Sequence, residues 1–149
     1  MASSEFAITN LLYRYAECID NGDLDGAFAL FADADIYFGE TRGPLPPSVV
    51  LAEWHDLIIM YDGVPRTKHI TTNAIVEVDE DAGTATSRSY YTVIQQVGDR
   101  PIEIVITGRY HDEFERVDGE WRFTKRDYAK VDLVDDLSRH NHVRPAPAS

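Results

Sequence analysis

The run IEIVITGRYHDEFERV, Ile102–Val117, decides the fold together with the Asp118-Gly119 pair and the run Trp121–Leu133 that follow it. An Asp-Gly pair between two runs rich in β-branched and aromatic residues is a strong signal for a tight β-hairpin. One side of the first strand would carry the apolar series Ile102, Ile104, Ile106, Tyr110 and Phe114. Because Val105 lies on the opposite side, both sides are partly apolar, and we expect the outer face to meet another subunit.

Two runs upstream have the same character. Thr67–Val78 and Thr84–Val97 are long and rich in β-formers, and turn residues at 79–83 and 98–101 separate the runs. The four runs predict an antiparallel meander. Strands of this length must coil, and a coiled sheet covered by helices encloses a pocket.

The N-terminal part shows helical periodicity. Apolar side chains recur at helical spacing between residues 8 and 19, and Ser3 or Ser4 can cap the helix that Asn21-Gly22 ends. A second short helix is predicted after the capping residue Asp23.

A short strand, Ala34–Phe38, and a loop at residues 43–47 (GPLPP) precede a third helix, predicted to run from a Ser48 cap to about Tyr61. Three helices and a curved antiparallel sheet predict the α+β class, as a cone-shaped α+β barrel. We expect one domain over residues 1–137 and a flexible C-terminal tail over residues 138–149.

The composition narrows the class of function. The 149 residues carry a formal net charge of −12, which disfavours nucleic acid and anionic membranes as partners. No apolar run approaches the length of a membrane span, and residues 1–5 lack the features of a signal peptide. The single cysteine, Cys18, excludes an internal disulfide and fits a reducing compartment, so we expect a cytoplasmic protein.

Two ionisable residues are candidates for proton transfer. His69 opens the first long strand, where its imidazole could point into the cavity and act as a general base, or could simply be solvated. Asp20 closes the first helix, where the helix dipole disfavours its charge, so a compensating donor such as a histidine N–H is expected. Alternatively, residues 20–23 are only a polar turn.

Tyr15 and Arg126 are weaker candidates. Tyr15 lies in the apolar stripe of the first helix, and its hydroxyl could bond a substrate carbonyl or a neighbour in the core. Arg126 lies on the last strand and could pair with Asp20, face an oxyanion, or form a surface ion pair.

The C-terminal triplet His140-Asn141-His142 raises the question of a metal. No third ligand stands at useful spacing, so we expect no metal site and no cofactor. Motifs for phosphate cradles, dinucleotides and nucleophilic serines are missing from the sequence.

Several stretches resemble the SnoaL-like domains of the nuclear transport factor 2-like superfamily, over about residues 4–133. They are ITNLLYRYAECID (8–20), GDLDGAFALFAD (22–33), TKHITTN (67–73) and YHDEFERVDGEWRF (110–123). Within the superfamily the chain is most similar to the group of scytalone dehydratase, hexachlorocyclohexane dehydrochlorinase and bile-acid dehydratase.

The resemblance implies a cofactor-independent lyase. The family's Asp–His dyad would fall on Asp20 and His69, with Asn73 in the His-x-x-x-Asn context, and Arg126 and Tyr15 match further catalytic positions. The implied reaction removes a proton and a leaving group from a small, mostly apolar cyclic substrate. The resemblance also implies a homo-oligomer, for which a trimer is the first expectation and a dimer the second.

The same scaffold serves other functions, which stay open. They are a ketosteroid-isomerase-like isomerase, a polyketide-cyclase-like enzyme, a small subunit of an aromatic-ring dioxygenase and a domain that binds hydrophobic ligands. The residues expected to line a substrate pocket are Phe28, Phe38, Trp54, Leu57, Ile58, Tyr61, Asn73, Tyr91, Ile104 and Ile106.

Overall fold

The computed structural model describes residues 2–142. Its elements, in chain order, are α1 (Ser4–Asp20), α2 (Leu24–Ala29), β1 (Asp35–Phe38), β2 (Arg42–Leu45), α3 (Pro47–Leu57), β3 (Thr67–Asp79), β4 (Thr84–Gln95), β5 (Glu103–Val117) and β6 (Glu120–Val134). Helices followed by a curved sheet confirm the predicted cone-shaped α+β fold. In the described part of the chain, no helix is long and apolar enough to cross a membrane.

The sheet has six strands in the order β2-β1-β6-β5-β4-β3. Strands β3 to β6 form the predicted antiparallel meander. The sheet is nevertheless mixed, because β1 pairs in parallel with β6. The prediction of a loop at residues 43–47 was wrong in part, since Gly43–Leu45 belong to β2; this is an edge strand, where a proline without an N–H is tolerated.

Helix α1 places its last residue, Asp20, beside the start of β3. The Ser3 hydroxyl accepts a hydrogen bond from the Phe6 amide at 3.2 Å, and the apolar stripe of the helix is buried. The chain turns at Gly22, whose φ of +79° suits a residue without a side chain. The sharp turn leaves Asp20 facing the sheet rather than solvent.

Helix α3 differs from the prediction at both ends. It follows Pro46 without a side-chain cap and stops at Leu57 rather than near Tyr61. Ile58 is already extended, with φ −77° and ψ 126°, and pairs with Asn141 as an isolated β-bridge.

Residues 138–142, which begin the tail predicted from the sequence, are hydrogen-bonded to the domain. The Ile59 amide donates to the His140 carbonyl at 2.9 Å, and the His142 amide donates to the Leu57 carbonyl at 2.7 Å. Residues 138–142 therefore pack on the domain as a C-terminal strap, and the predicted tail over 143–149 lies outside the described residues.

The outer face of the sheet is notably apolar. Its exposed large side chains include Ile70, Ile75, Tyr90, Ile104 and Leu133. Assembly into a trimer or dimer through this face stays a prediction.

Candidate active site

Asp20 and His69 are in direct contact. The Asp20 carboxylate accepts hydrogen bonds from the His69 Nδ1 at 2.6 Å, from the His69 backbone amide at 2.8 Å and from the Thr67 hydroxyl at 2.9 Å. Three donors from β3 thus fix one carboxylate at the end of α1. The two side chains are 7% and 10% exposed, which keeps water from competing for these bonds.

The electrostatics of the pair define the tautomer. Burial opposes ionisation of Asp20, but the bonds from His69 and Thr67 outweigh it and hold the pKa of Asp20 below its usual range. An ionised Asp20 is a pure acceptor, so the His69 Nδ1 carries the proton of their hydrogen bond. The Nε2 of a neutral His69 then keeps its lone pair, as a general base requires.

His69 borders a cavity of about 180 Å³ between the helices and the sheet. Eight residues singled out from the sequence lie in its wall, namely Tyr15, Phe38, Trp54, Leu57, Ile58, His69, Tyr91 and Ile106. Seven further wall residues were missed: Ile19, Val93, Tyr110, Tyr128, Val131, His140 and Asn141. The wall is mainly apolar and aromatic, with a few polar groups.

Phe28 and Tyr61 do not line this cavity, contrary to the prediction. Phe28 is buried one layer further out, edge-on to Trp54 with ring centroids 6.0 Å apart. Tyr61 lies beyond the end of α3, where its hydroxyl donates to the Arg139 carbonyl at 2.6 Å. Its position follows from the early end of the helix.

Asn73 and Ile104 also lie outside the wall, and both predictions failed because of β-bulges. Asn73 is exposed with φ +55° at an irregularity of β3 that interrupts the pairing with β4. On β5 an irregularity opposite Val93 turns Ile104 outward, where it is 59% exposed, and buries Val105 instead. A bulge changes which face successive side chains occupy.

A cluster of tyrosines forms one side of the cavity. The hydroxyls of Tyr15 and Tyr128 are 2.7 Å apart and share a hydrogen bond. Tyr91 stacks on Tyr110 with ring centroids 4.5 Å apart. Burial raises the pKa of Tyr15, and it raises the pKa of Tyr91 to about 12, so both phenols stay protonated as hydrogen-bond donors.

Arg126 pairs neither with Asp20 nor with a surface carboxylate. Its side chain is fully buried and pairs through two hydrogen bonds, of 2.6 and 3.2 Å, with Asp112 on β5, and not with Asp20, which was one of the alternatives from the sequence. The guanidinium carbon lies 3.9 Å from the ring centroid of Tyr110 and 4.6 Å from that of Tyr15. Arg126 therefore stands behind the tyrosines rather than in the cavity wall.

The signals for the missed residues differ. Tyr110 lies in the apolar series of β5, and Tyr128 follows Arg126 at strand spacing, so strand patterning alone could have added both. His140 and Asn141 belong to no periodic element, and their position depends on backbone contacts with residues 57–59.

The sequence profile of the SnoaL-like domain family matches residues 1–127. The chain belongs to the SnoaL-like domain family. Among curated proteins, no sequence matches this SnoaL-like domain.

Solved structures similar to this SnoaL-like domain include three from Novosphingobium aromaticivorans. A protein assigned as a scytalone dehydratase is 24% identical, with a TM-score of 0.66, over 94% of this chain and 89% of that one. An NTF2-like protein with a cystatin-like fold is 20% identical, with a TM-score of 0.62, over 81% and 77%. The beta subunit of an assigned aromatic-ring-hydroxylating dioxygenase is 18% identical, with a TM-score of 0.62, over 87% and 89%. At these identities the likeness concerns the fold.

Proposed function

We propose that this protein is a cofactor-independent lyase that eliminates water, or a comparable leaving group, from a small cyclic substrate. The observation that carries the proposal is the 2.6 Å contact between Asp20 and the His69 Nδ1 at the wall of a largely apolar cavity. An imidazole oriented by a carboxylate at the wall of a largely apolar cavity is an arrangement suited to general-base catalysis.

In the proposed reaction the Nε2 of His69 removes a proton from a carbon next to a carbonyl group. The electron pair of the C–H bond becomes the new C=C bond, and the C–O bond on the neighbouring carbon breaks. The departing hydroxide takes the proton from His69 and leaves as water, which returns the imidazole to its neutral form. Asp20 stabilises the transient imidazolium.

The Tyr15–Tyr128 pair is suited to the substrate carbonyl. When the proton leaves carbon, negative charge develops on the carbonyl oxygen, and a phenol O–H aimed at that oxygen stabilises the charge. One hydroxyl of the pair can donate to the other while the second donates to the substrate. The neighbouring Arg126 cation favours the same charge from behind the rings.

The size of the cavity limits the substrate to about one ring with small substituents. An apolar cavity of about 150 Å³ accommodates benzene, and this cavity is slightly larger, at about 180 Å³. A monocyclic β-hydroxy ketone has the volume, the acidic C–H bond and the leaving group that the proposed reaction needs.

An isomerase is the second candidate, because it would use the same base and the same tyrosine pair. The proton would return to another carbon and no group would leave. Mass spectrometry separates the two reactions, since elimination lowers the mass of the substrate by one water and isomerisation leaves it unchanged. A polyketide-cyclase-like reaction with the dyad is a further variant of this chemistry.

The test is a panel of monocyclic β-hydroxy ketones, followed by the ultraviolet absorbance of the conjugated product. His69→Gln and Asp20→Asn are each expected to lower turnover by about 100-fold or more, the usual range for a lost acid–base group. His55→Gln is the matched control, because His55 also contacts an aspartate, Asp25 at 3.3 Å, but on the surface. Turnover of the control is expected to equal that of the parent.

If the folded parent converts no member of the panel, or if both dyad variants keep full turnover, the lyase proposal fails. Binding of the same compounds without turnover would instead favour a domain that binds hydrophobic ligands. Stable association with a large dioxygenase subunit would favour the small-subunit alternative.

A further inference from the structure

The C-terminal strap contributes two polar side chains to the cavity wall that the proposed reaction does not use. His140 is 6% exposed, and its buried Nδ1 has no hydrogen-bond partner among residues 2–142. The adjacent Asn141 has a buried Oδ1 that likewise has no partner in the described part of the chain. Both residues line the same cavity as His69.

The backbone holds these two side chains in place. The amides of His140 and Asn141 both donate to the Leu137 carbonyl, at 2.9 and 2.8 Å. The His140 carbonyl accepts from the Ile59 amide, and Asn141 forms a β-bridge with Ile58. Because the backbone groups are bonded within the fold, the unpartnered side-chain atoms are a local and fixed feature.

A buried polar atom without a partner destabilises a folded protein, because the hydrogen bonds that it made to water are not replaced. Native structures keep few such atoms, and each calls for an explanation. Two of them on neighbouring residues of one cavity wall are explained if a ligand supplies the missing hydrogen bonds.

The charge state of His140 narrows the chemistry of that ligand. Burial, together with the nearby His69, lowers the pKa of His140 to about 4, so the imidazole is neutral near pH 7. A neutral imidazole offers one N–H donor and one lone pair, and the Asn141 Oδ1 is an acceptor. An anionic ligand would gain little binding energy here, because neither side chain carries a positive charge and the carboxylate of Asp20 lies near His140.

A hydroxyl group meets these requirements in a single atom pair, since its oxygen accepts and its O–H donates. A carbonyl or an ether oxygen can only accept. We propose that His140 and Asn141 form a hydroxyl-binding site in the cavity, with the imidazole N–H donating to the ligand oxygen and the ligand O–H donating to the Asn141 Oδ1. The site rests on the proposed function only in treating this cavity as the substrate site.

Phenol and anisole test the proposal, because they share a ring and differ in whether the oxygen carries a hydrogen. The chain has two tryptophans, and Trp54 lines the cavity, so Trp121→Phe leaves Trp54 as the single fluorescent reporter of binding. Phenol is expected to bind about tenfold more tightly than anisole, which corresponds to about 1.4 kcal/mol. The readout needs no turnover, so it stands whether or not the lyase reaction is found.

His140→Phe and Asn141→Leu are expected to bring phenol to the affinity of anisole and to change anisole binding little. His55→Gln is the control, because His55 lies on the surface, and it is expected to keep the preference for phenol. Equal binding of phenol and anisole by the parent would overturn the proposal, and this comparison needs no variant to fold. Failure of both compounds to bind at millimolar concentration, or a preference that survives both variants, would overturn it as well.

Discussion

Arg126 and Asp112 provide the sharpest test of a structural role inside this fold. Both side chains are fully buried, and the guanidinium bonds both carboxylate oxygens. Removing one partner of a buried ion pair typically destabilises a protein by about 3–5 kcal/mol, because it leaves the other charge unpaired. Replacing both partners by apolar residues of similar volume is often neutral or stabilising.

We therefore expect Arg126→Met alone, and Asp112→Leu in a chain that keeps Arg126, to lose about 3–5 kcal/mol of unfolding free energy each. For a domain of this size that loss lowers the melting temperature by about 2–4 °C per kcal/mol. The double variant is expected to recover most of the loss. Urea unfolding measures the unfolding free energy of the two single variants and the double variant. The urea dependence of that free energy (the m-value) is used to check two-state behaviour.

The single variant Arg126→Met also carries a pH signature. Burial raises the pKa of Asp112 even beside the guanidinium, and without Arg126 the favourable interaction with the carboxylate is gone. The folded variant then holds a proton on Asp112 to a higher pH than the unfolded chain does. The contribution of Asp112 to the stability of the variant should therefore fall as the pH rises above about 4, the pKa of an unfolded aspartate, and should continue to fall to a higher pH than in the parent.

A loss below about 1 kcal/mol in either single variant would refute this reasoning, as would a double variant as unstable as the sum of the singles. The double variant also separates structure from catalysis. If it is folded and stable but has lost turnover that the parent shows, Arg126 acts on the substrate and not only on the fold.

Two further predictions concern positions around the cavity. Because the pKa of Asp20 is lowered in the folded state, its carboxylate stabilises the fold above about pH 3.9, and this contribution is lost as the pH falls through the folded pKa. The urea midpoints of Asp20→Asn and the parent should therefore differ at pH 7 and converge in acid. A difference that stays constant with pH would contradict this prediction. A methyl group at Gly108 would collide with the Tyr91 hydroxyl and the Lys130 carbonyl. Gly108→Ala should therefore lower the unfolding free energy by about 1–3 kcal/mol, measured by urea unfolding, and weaken phenol binding, measured by Trp54 fluorescence. An unchanged urea unfolding curve would contradict this prediction.

Local signals were sufficient for much of the fold, whereas the Asp20–His69 dyad was expected from the family resemblance, because the residues alone left a solvated histidine and a polar turn open. The apolar stripe of α1 and the Asn21-Gly22 stop fix where Asp20 lies, and the start of β3 fixes His69. Contacts between distant segments were not predictable in the same way. The strap that carries His140 is held by amides and carbonyls of residues 57–59, and a sequence pattern does not report backbone hydrogen bonds.

The register of β6 explains why the pairing of Arg126 with Asp112 was not predicted from the sequence. A two-residue Asp118-Gly119 turn pairs Val117 with Glu120, and counting on without interruption would place Arg126 opposite His111. An extra residue on β6, Thr124, shifts the register by one and places Arg126 opposite Asp112. The same bulge brings Arg126 onto the buried side of the sheet with Phe123, although the two are an odd number of residues apart. One inserted residue thus decides whether Arg126 lies opposite a histidine or a buried carboxylate. Neither the composition nor the residues of the hairpin turn predict this insertion.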